Sequence, residues 1–293
     1  MKKRVTIGIL LCLLCLALIA GCGTGTQPTQ NPPAEQPSEE SGEEGTEGTE
    51  GTEEGTEGVG VTEGGRLVMG LDDSFAPMGF RDESGEIVGF DVDLAKEAAA
   101  RLGMELVLQP IDWDSKEVEL SSGNIDCIWN GLTITAARQE SMEMSKPYIA
   151  NNQVIVVVAD GGVSGRADLE GKEIGVQKGS SALDAVNADE LAALVSQVSE
   201  YPQNVDAFND LKAGRLSAVV ADEIMARYYL ATEAFQDLIL LEESLAAEEY
   251  GIAFRKGNTE LRDAVQAALD EMVADGAAGE ISQTWFGADI IIK

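Results

Sequence analysis

The sequence contains no histidine. That removes the commonest metal ligand, the commonest general base and every Ser–His or Cys–His nucleophile pair. Cysteine is scarce too: Cys12, Cys15, Cys22 and Cys127 are all there are. The first three lie in or just after an apolar leader, so the folded part keeps Cys127 alone and an internal disulfide is excluded. The stretch "IDCIW" around Cys127 reads as a buried strand, which gives that thiol a packing role. Basic residues are few, 20 Lys+Arg against 52 Asp+Glu, for a formal net charge of −32. A nucleic-acid binder needs the opposite sign. These absences lead to the expectation of no metal, no cofactor and no nucleic-acid partner.

The leader is "MKKRVTIGILLCLLCLALIAGC". Its basic head, its apolar run from Val5 to Ala20 and the small residues before Cys22 fit a secretory signal better than a membrane-spanning helix. "LIAGC" resembles a bacterial lipobox. That resemblance implies a signal peptide over 1–21, cleavage before Cys22 and a lipid on its thiol. Residues 22–63 then form a tether. From Gly23 to Thr62 the chain is almost all Gly, Thr, Glu, Pro and Gln, too poor in apolar groups to bury a core, so it is expected to be disordered. A flexible chain of that length spans roughly 35 Å, enough to hold a domain off a membrane surface.

Residues 64–293 carry 17 basic and 41 acidic residues. Their length suits one large domain or two small ones. Strand-like runs ("RLVMGL", "ELVLQP", "IDCIWN", "NQVIVVVA") alternate with helix-like ones ("DVDLAKEAAARLG", "DSKEVELSSG", "TAARQESM"). A second round begins at "EIGVQKGSSALDAV", where Ser181 and Asp184 read as a capping box. It continues through "NVDAFNDLKAG", "LSAVVAD" and "EIMARYYLATEA". "DLILLEE" and "YGIAFRKG" read as two separate strands before the terminal helices. Alternation of this kind predicts an α/β fold with mostly parallel sheets, and two rounds predict two lobes. Ligands of such sheets sit beyond the carboxyl ends of the strands.

Arg138 stands out within "NGLTITAARQE". Thr135 is a good N-cap, which puts Arg138 third in a helix, in the turn whose free N–H groups disfavour a cation. Three and four residues away stand Thr135, Ile134, Ser141 and Met142, none of them acidic. The arginine therefore calls for an anion, either a ligand or an acid distant in sequence.

"DDSFAPMGFRDESGEIVGFDVDLAKEAAARLG", "WNGLTITAARQESMEMSKPY", "GKEIGVQKGSSA", "AGRLSAVVADE", "YGIAFRKGN" and "ISQTWFG" occur in that order. Together they resemble the signatures of the extracellular solute-binding proteins that feed polar amino acids to ATP-driven (ABC) importers, the bacterial solute-binding proteins of family 3. The resemblance implies a periplasmic-binding-protein-like fold of two α/β lobes joined by two hinge strands. Lobe 1 would be 64–152 plus 250–293, and lobe 2 would be 153–249. It also implies a monomer, lipid-anchored at the outer face of the cytoplasmic membrane or else periplasmic, that binds a free polar amino acid without chemistry.

By the same resemblance Arg138 grips the ligand α-carboxylate, with Ser180 and Ser181 as a second clamp through their N–H groups, and Asp222 pairs with the α-ammonium. Thr133 and Gly131 border the ligand, and Asn130 belongs to the pocket wall. Asp72 and Phe75 touch the ligand side chain, although Phe75 also suits a core. Lys116 stands where the family more often has an apolar residue, and it suits solvent equally. Trp129 alternates with Asn130 and suits the core. Two other readings share the fold: a sensory ligand-binding domain, which would normally continue into a membrane helix beyond "IIIK", and a dehydratase-like enzyme using a site carboxylate as general acid.

Overall fold

The computed structural model describes residues 65–293. The leader and the whole tether lie outside the described residues, and with them Cys22.

The chain opens with β1 (Arg66–Leu71), then three short strands, β2 (Ser74–Phe75), β3 (Gly79–Arg81) and β4 (Ile87–Val88), which pair into a small antiparallel sheet. Helix α1 (Phe90–Arg101) buries Phe90, Val92, Leu94, Ala95, Ala98 and Ala99, the apolar stripe of its sequence. β5 (Glu105–Pro110), a 3₁₀ turn at Trp113–Ser115, α2 (Lys116–Ser122), β6 (Cys127–Thr133), α3 (Ala136–Ser141) and β7 (Met142–Met144) follow. Next comes the ten-residue β8 (Ile149–Val158). The second round is β9 (Glu173–Gln177), α4 (Ser181–Ala188), α5 (Leu191–Leu194), β10 (Gln197–Tyr201), α6 (Asn204–Lys212), β11 (Ala218–Asp222) and α7 (Glu223–Leu230). The chain returns through β12 (Leu238–Arg255) and ends in α8 (Thr259–Asp275) and α9 (Ala277–Phe286). Among these, no helix is long and apolar enough to cross a membrane.

One sheet runs through the molecule in the order β10-β9-β11-β8-β12-β6-β1-β5, with β7 also paired to β12. The outer strands on each side are parallel: β5 with β1, β1 with β6, β10 with β9 and β9 with β11. β8 and β12 run antiparallel to each other and stitch the two sides together. Near one end β12 meets β6, with Tyr250 opposite Thr133. Toward the other end β8 meets β11, with Gln153 opposite Asp222. The result is two α/β lobes joined by two strands.

The two runs expected as separate strands are one 18-residue strand. Its register against β8 shifts between Leu240 and Ser244 and again between Ser244 and Ala246. The polar middle, "EESLAAEE", hides the continuity, because extra residues taken up by bulges erase the period of two. Cys127 is fully buried, and burial pushes its thiol pKa up, as suits a packing group.

Candidate functional site

Arg138 is the third residue of α3, and its N–H donates to Thr135 Oγ1 at 3.2 Å, so the cap is the one expected. The side chain turns inward. Its Nη1 donates to the Thr133 carbonyl at 2.8 Å, and the residue is 6% exposed. No carboxylate of a described residue comes within ion-pair distance. Burial lowers its pKa, opposed at longer range by Asp184, Glu117, Glu248 and Asp222. The distant-acid alternative therefore lacks a salt bridge to support it among the described residues.

β6 carries Asn130, Gly131 and Thr133 to the same place, and every residue of this strand is buried. Gly131 has φ +60, and a Cβ there would stand 2.8 Å from Phe75 Cε1. Only glycine gives both the backbone conformation and the room for that ring. Phe75 is thus buried against the Gly131 backbone as part of the largest apolar cluster. The Gly131 N–H is already engaged, donating to Asp91 Oδ2 at 2.7 Å. Trp129 points into the core, with its ring 6.4 Å from that of Tyr148.

From the second lobe come Ser180, Ser181 and Asp222. The helix cap is Ser180, whose Oγ accepts from Leu183 N–H at 3.2 Å. The capping box expected at Ser181 and Asp184 is therefore not formed. Two adjacent serines made the assignment ambiguous by one position, and the extended backbone falls on the first. Ser181, freed from capping, sets its Oγ 3.0 Å from Thr133 Oγ1. Asp222 ends β11 and is buried. Its Oδ1 accepts from Asn151 Nδ2 (2.7 Å), Tyr250 Oη (2.7 Å) and Gln153 Nε2 (3.0 Å). Burial, then the nearby Glu248 charge, pushes its pKa up to about 7.

Asp72 and Lys116 are both buried. Asp72 Oδ1 accepts from the Ser74 hydroxyl and N–H, and Oδ2 accepts from Gln177 Nε2. Burial raises the Asp72 pKa. Asn130 Oδ1 accepts from Asp72 N–H at 3.1 Å. Lys116 is buried rather than solvated. Its ammonium donates to the Trp113 and Gly179 carbonyls and lies 5.0 Å from the Trp113 ring centre. Burial, reinforced by Arg138, pulls its pKa down to about 8. A cleft of about 580 Å³ opens beside Asp72, lined by Trp113, Asp114 and Lys178 among others, and holds neither Arg138 nor Asp222.

The hydrogen bonds thus join Thr133, Ser181 and Asp222 through shared partners, with Arg138 on the Thr133 carbonyl. Asn130, Asp72 and Gln177 make a second group, and Lys116 meets the second lobe at Gly179. Residues not expected also enter these networks, among them Asn151, Gln153, Gln177, Glu248 and Tyr250. Asn151 and Gln153 lie on hinge strand β8 and read locally as ordinary strand residues.

Two α/β lobes on a pair of crossing strands, with buried charges of both signs where the lobes meet, define a two-lobe solute-binding protein. The chain belongs to the bacterial extracellular solute-binding proteins, family 3, whose model matches residues 67–288. It is 33% identical to the L-cystine-binding protein of Escherichia coli over 232 residues, 78% of this chain and 86% of that one. It is 32% identical to an arginine-binding extracellular protein of Bacillus subtilis over 225 residues, 75% of this chain and 86% of that one. Among solved structures, an ABC uptake transporter substrate-binding protein from Streptococcus pneumoniae with bound histidine superposes with a TM-score of 0.75 at 36% identity. That match covers 78% of this chain and 95% of the other.

Proposed function

We propose that the protein captures a free amino acid between its lobes, without covalent change, and delivers it to an ABC importer. Arg138 carries this reading. It is a buried guanidinium with no carboxylate in ion-pair range among the described residues, and the Asp222 charge reaches it only at longer range. A zwitterion supplies what each lacks. The ligand carboxylate takes the planar fork of Arg138 and the N–H groups at Ser180 and Ser181. The ammonium takes Asp222 and the Thr133 hydroxyl. Gly131 and Asn130 border the ligand backbone, while Asp72, Phe75 and Lys116 stand toward its side chain. Relatives named for L-cystine, arginine and histidine support this class of ligand.

In this reading lobe 1 comprises residues 64–152 with 250–293, lobe 2 comprises 153–249, and closure turns on the crossings near Asn152 and Tyr250. The protein works as a monomer, cleaved after residue 21 and held at the outer face of the cytoplasmic membrane by a lipid on Cys22. The test is a thermal-shift screen of the twenty amino acids and L-cystine. A ligand at a hundred times its Kd adds about 2.7 kcal/mol of stability by mass action. At least one of these should raise the melting temperature clearly, and calorimetry should then give one site per chain. No response from any of them would overturn the reading.

A further inference from the structure

Glu248 lies on hinge strand β12, and its carboxylate reaches both lobes. Glu248 Oε2 accepts from Thr133 Oγ1 at 2.9 Å on one side and from Ser181 Oγ at 3.4 Å on the other. Gln153 Nε2 donates to the same oxygen at 2.9 Å and Asn151 Nδ2 at 3.3 Å. Both amides also donate to Asp222 Oδ1, so the two carboxylates share their donors. This cluster has a chemical consequence. A threonine hydroxyl has one proton and two lone pairs. Thr133 commits that proton to its hydrogen bond with Glu248 Oε2, and Thr133 Oγ1 can then only accept from anything else in the site. An acceptor suits a ligand N–H and repels a ligand carboxylate.

We propose that Glu248 is a positioning residue for ligand selection: it fixes Thr133 as an acceptor and, with Asp222, reserves this end of the site for a cationic ammonium group. The inference rests on the amino-acid reading above and refines it. It assigns the ligand carboxylate to Arg138 and backbone N–H groups alone, and it explains why two acids converge where one ammonium is to be held. The ligand class is accordingly a primary α-amino acid, and 2-hydroxy acids of the same side chain are rejected.

The test is calorimetry, by competition where binding is weak, with L-arginine, L-histidine and their 2-hydroxy acid analogues, on the wild type and on Glu248→Gln. The substitution keeps the size of the side chain and removes its charge. Affinity for the amino acid should fall about tenfold, the size of one hydrogen bond to a charged group, while affinity for the hydroxy acid stays level or rises. The ligand and residue changes then form a cycle that isolates their coupling. An equal loss for both ligands, or no loss for either, would overturn the inference and leave Glu248 as a strap between the lobes. If Glu248→Gln does not fold, Glu248→Asp withdraws the carboxylate from Thr133, and the same drop in selectivity is required of it. Arg138→Ala in parallel separates the two readings. If it binds normally while Glu248→Gln loses selectivity, the carboxylate assignment fails alone. If the wild type binds neither amino acid, this inference falls too.

Discussion

Gln177 Nε2 donates to Asp72 Oδ2 at 2.6 Å, and the two residues lie in different lobes. The amide is held in place, since Nε2 also donates to the Pro202 carbonyl and Asn204 Nδ2 donates to Gln177 Oε1. Lys116 to the Gly179 carbonyl, Tyr229 Oη to the Ser74 carbonyl and the Lys178–Asp114 ion pair likewise join one lobe to the other. All of these contacts belong to a closed arrangement, and separating the lobes about β8 and β12 breaks them.

Ligand should therefore shift the protein toward this arrangement by its differential affinity for it. Small-angle X-ray scattering is expected to give a smaller radius of gyration with the ligand found by the thermal screen. An unchanged radius, with calorimetry showing saturation, would rule out closure by hinge motion.

Arg138→Ala should abolish binding and spare the fold. Truncating one partner of a buried charge pair costs about 2–5 kcal/mol, roughly 30- to 4000-fold in affinity. Arg138→Lys should also bind poorly, because an ammonium cannot present two parallel donors. Titration calorimetry reads both. Alanine binding within threefold of wild type would show that the ligand carboxylate goes elsewhere.

Asp91 should make the unliganded protein less stable as pH rises. It is fully buried on α1, accepting from Gly131 N–H and from Tyr148 Oη at 2.8 Å, and burial pushes its pKa up to about 7. The folded state therefore holds a proton that the unfolded state has lost. Stability is fully present below about pH 4 and is lost as pH rises toward 7, with a slope approaching about 1.4 kcal/mol per pH unit for each such group. Asp222 acts with the same sign. Asp91→Asn should flatten the curve, since its amide keeps the Gly131 bond without a charge. Urea unfolding between pH 5 and 8 measures this, and identical slopes for variant and wild type would refute it.

The native protein should carry diacylglycerol on Cys22, visible by mass spectrometry of the N-terminal peptide. Cys22→Ala should leave the membrane fraction. Continued sedimentation with membranes would mean that another anchor holds the chain.

The alternating elements were legible because their apolar periods are long and clean. β6 is a seven-residue buried run, and α1 carries an unbroken apolar stripe. β2, β3 and β4 were not legible: strands of two or three residues leave no period to detect. Arg138 could be singled out because its local surroundings offer no partner. Glu248 could not, because its acceptor role depends on Thr133 and Ser181, 115 and 67 residues away. In sequence it is one glutamate in the run "AAEEY" of an acidic chain. Lys116 on a short, polar helix gave no sign of burial, since what covers it is Trp113 below and the second lobe above.

β12 occupies an interior slot of the sheet, between β8 and β6, although it is the last strand of the sheet to be synthesised. Until residues 238–255 are available, β6 and β8 each present an unpaired edge where the finished molecule has a ladder. Neither lobe can close its sheet, and α8 and α9, which follow β12, are still to come. A chain that emerges amino end first must therefore keep most of its length unfinished until nearly all of it is out. For a protein of an extracellular family this delay works in favour of export, because a chain that cannot complete its sheet early stays threadable.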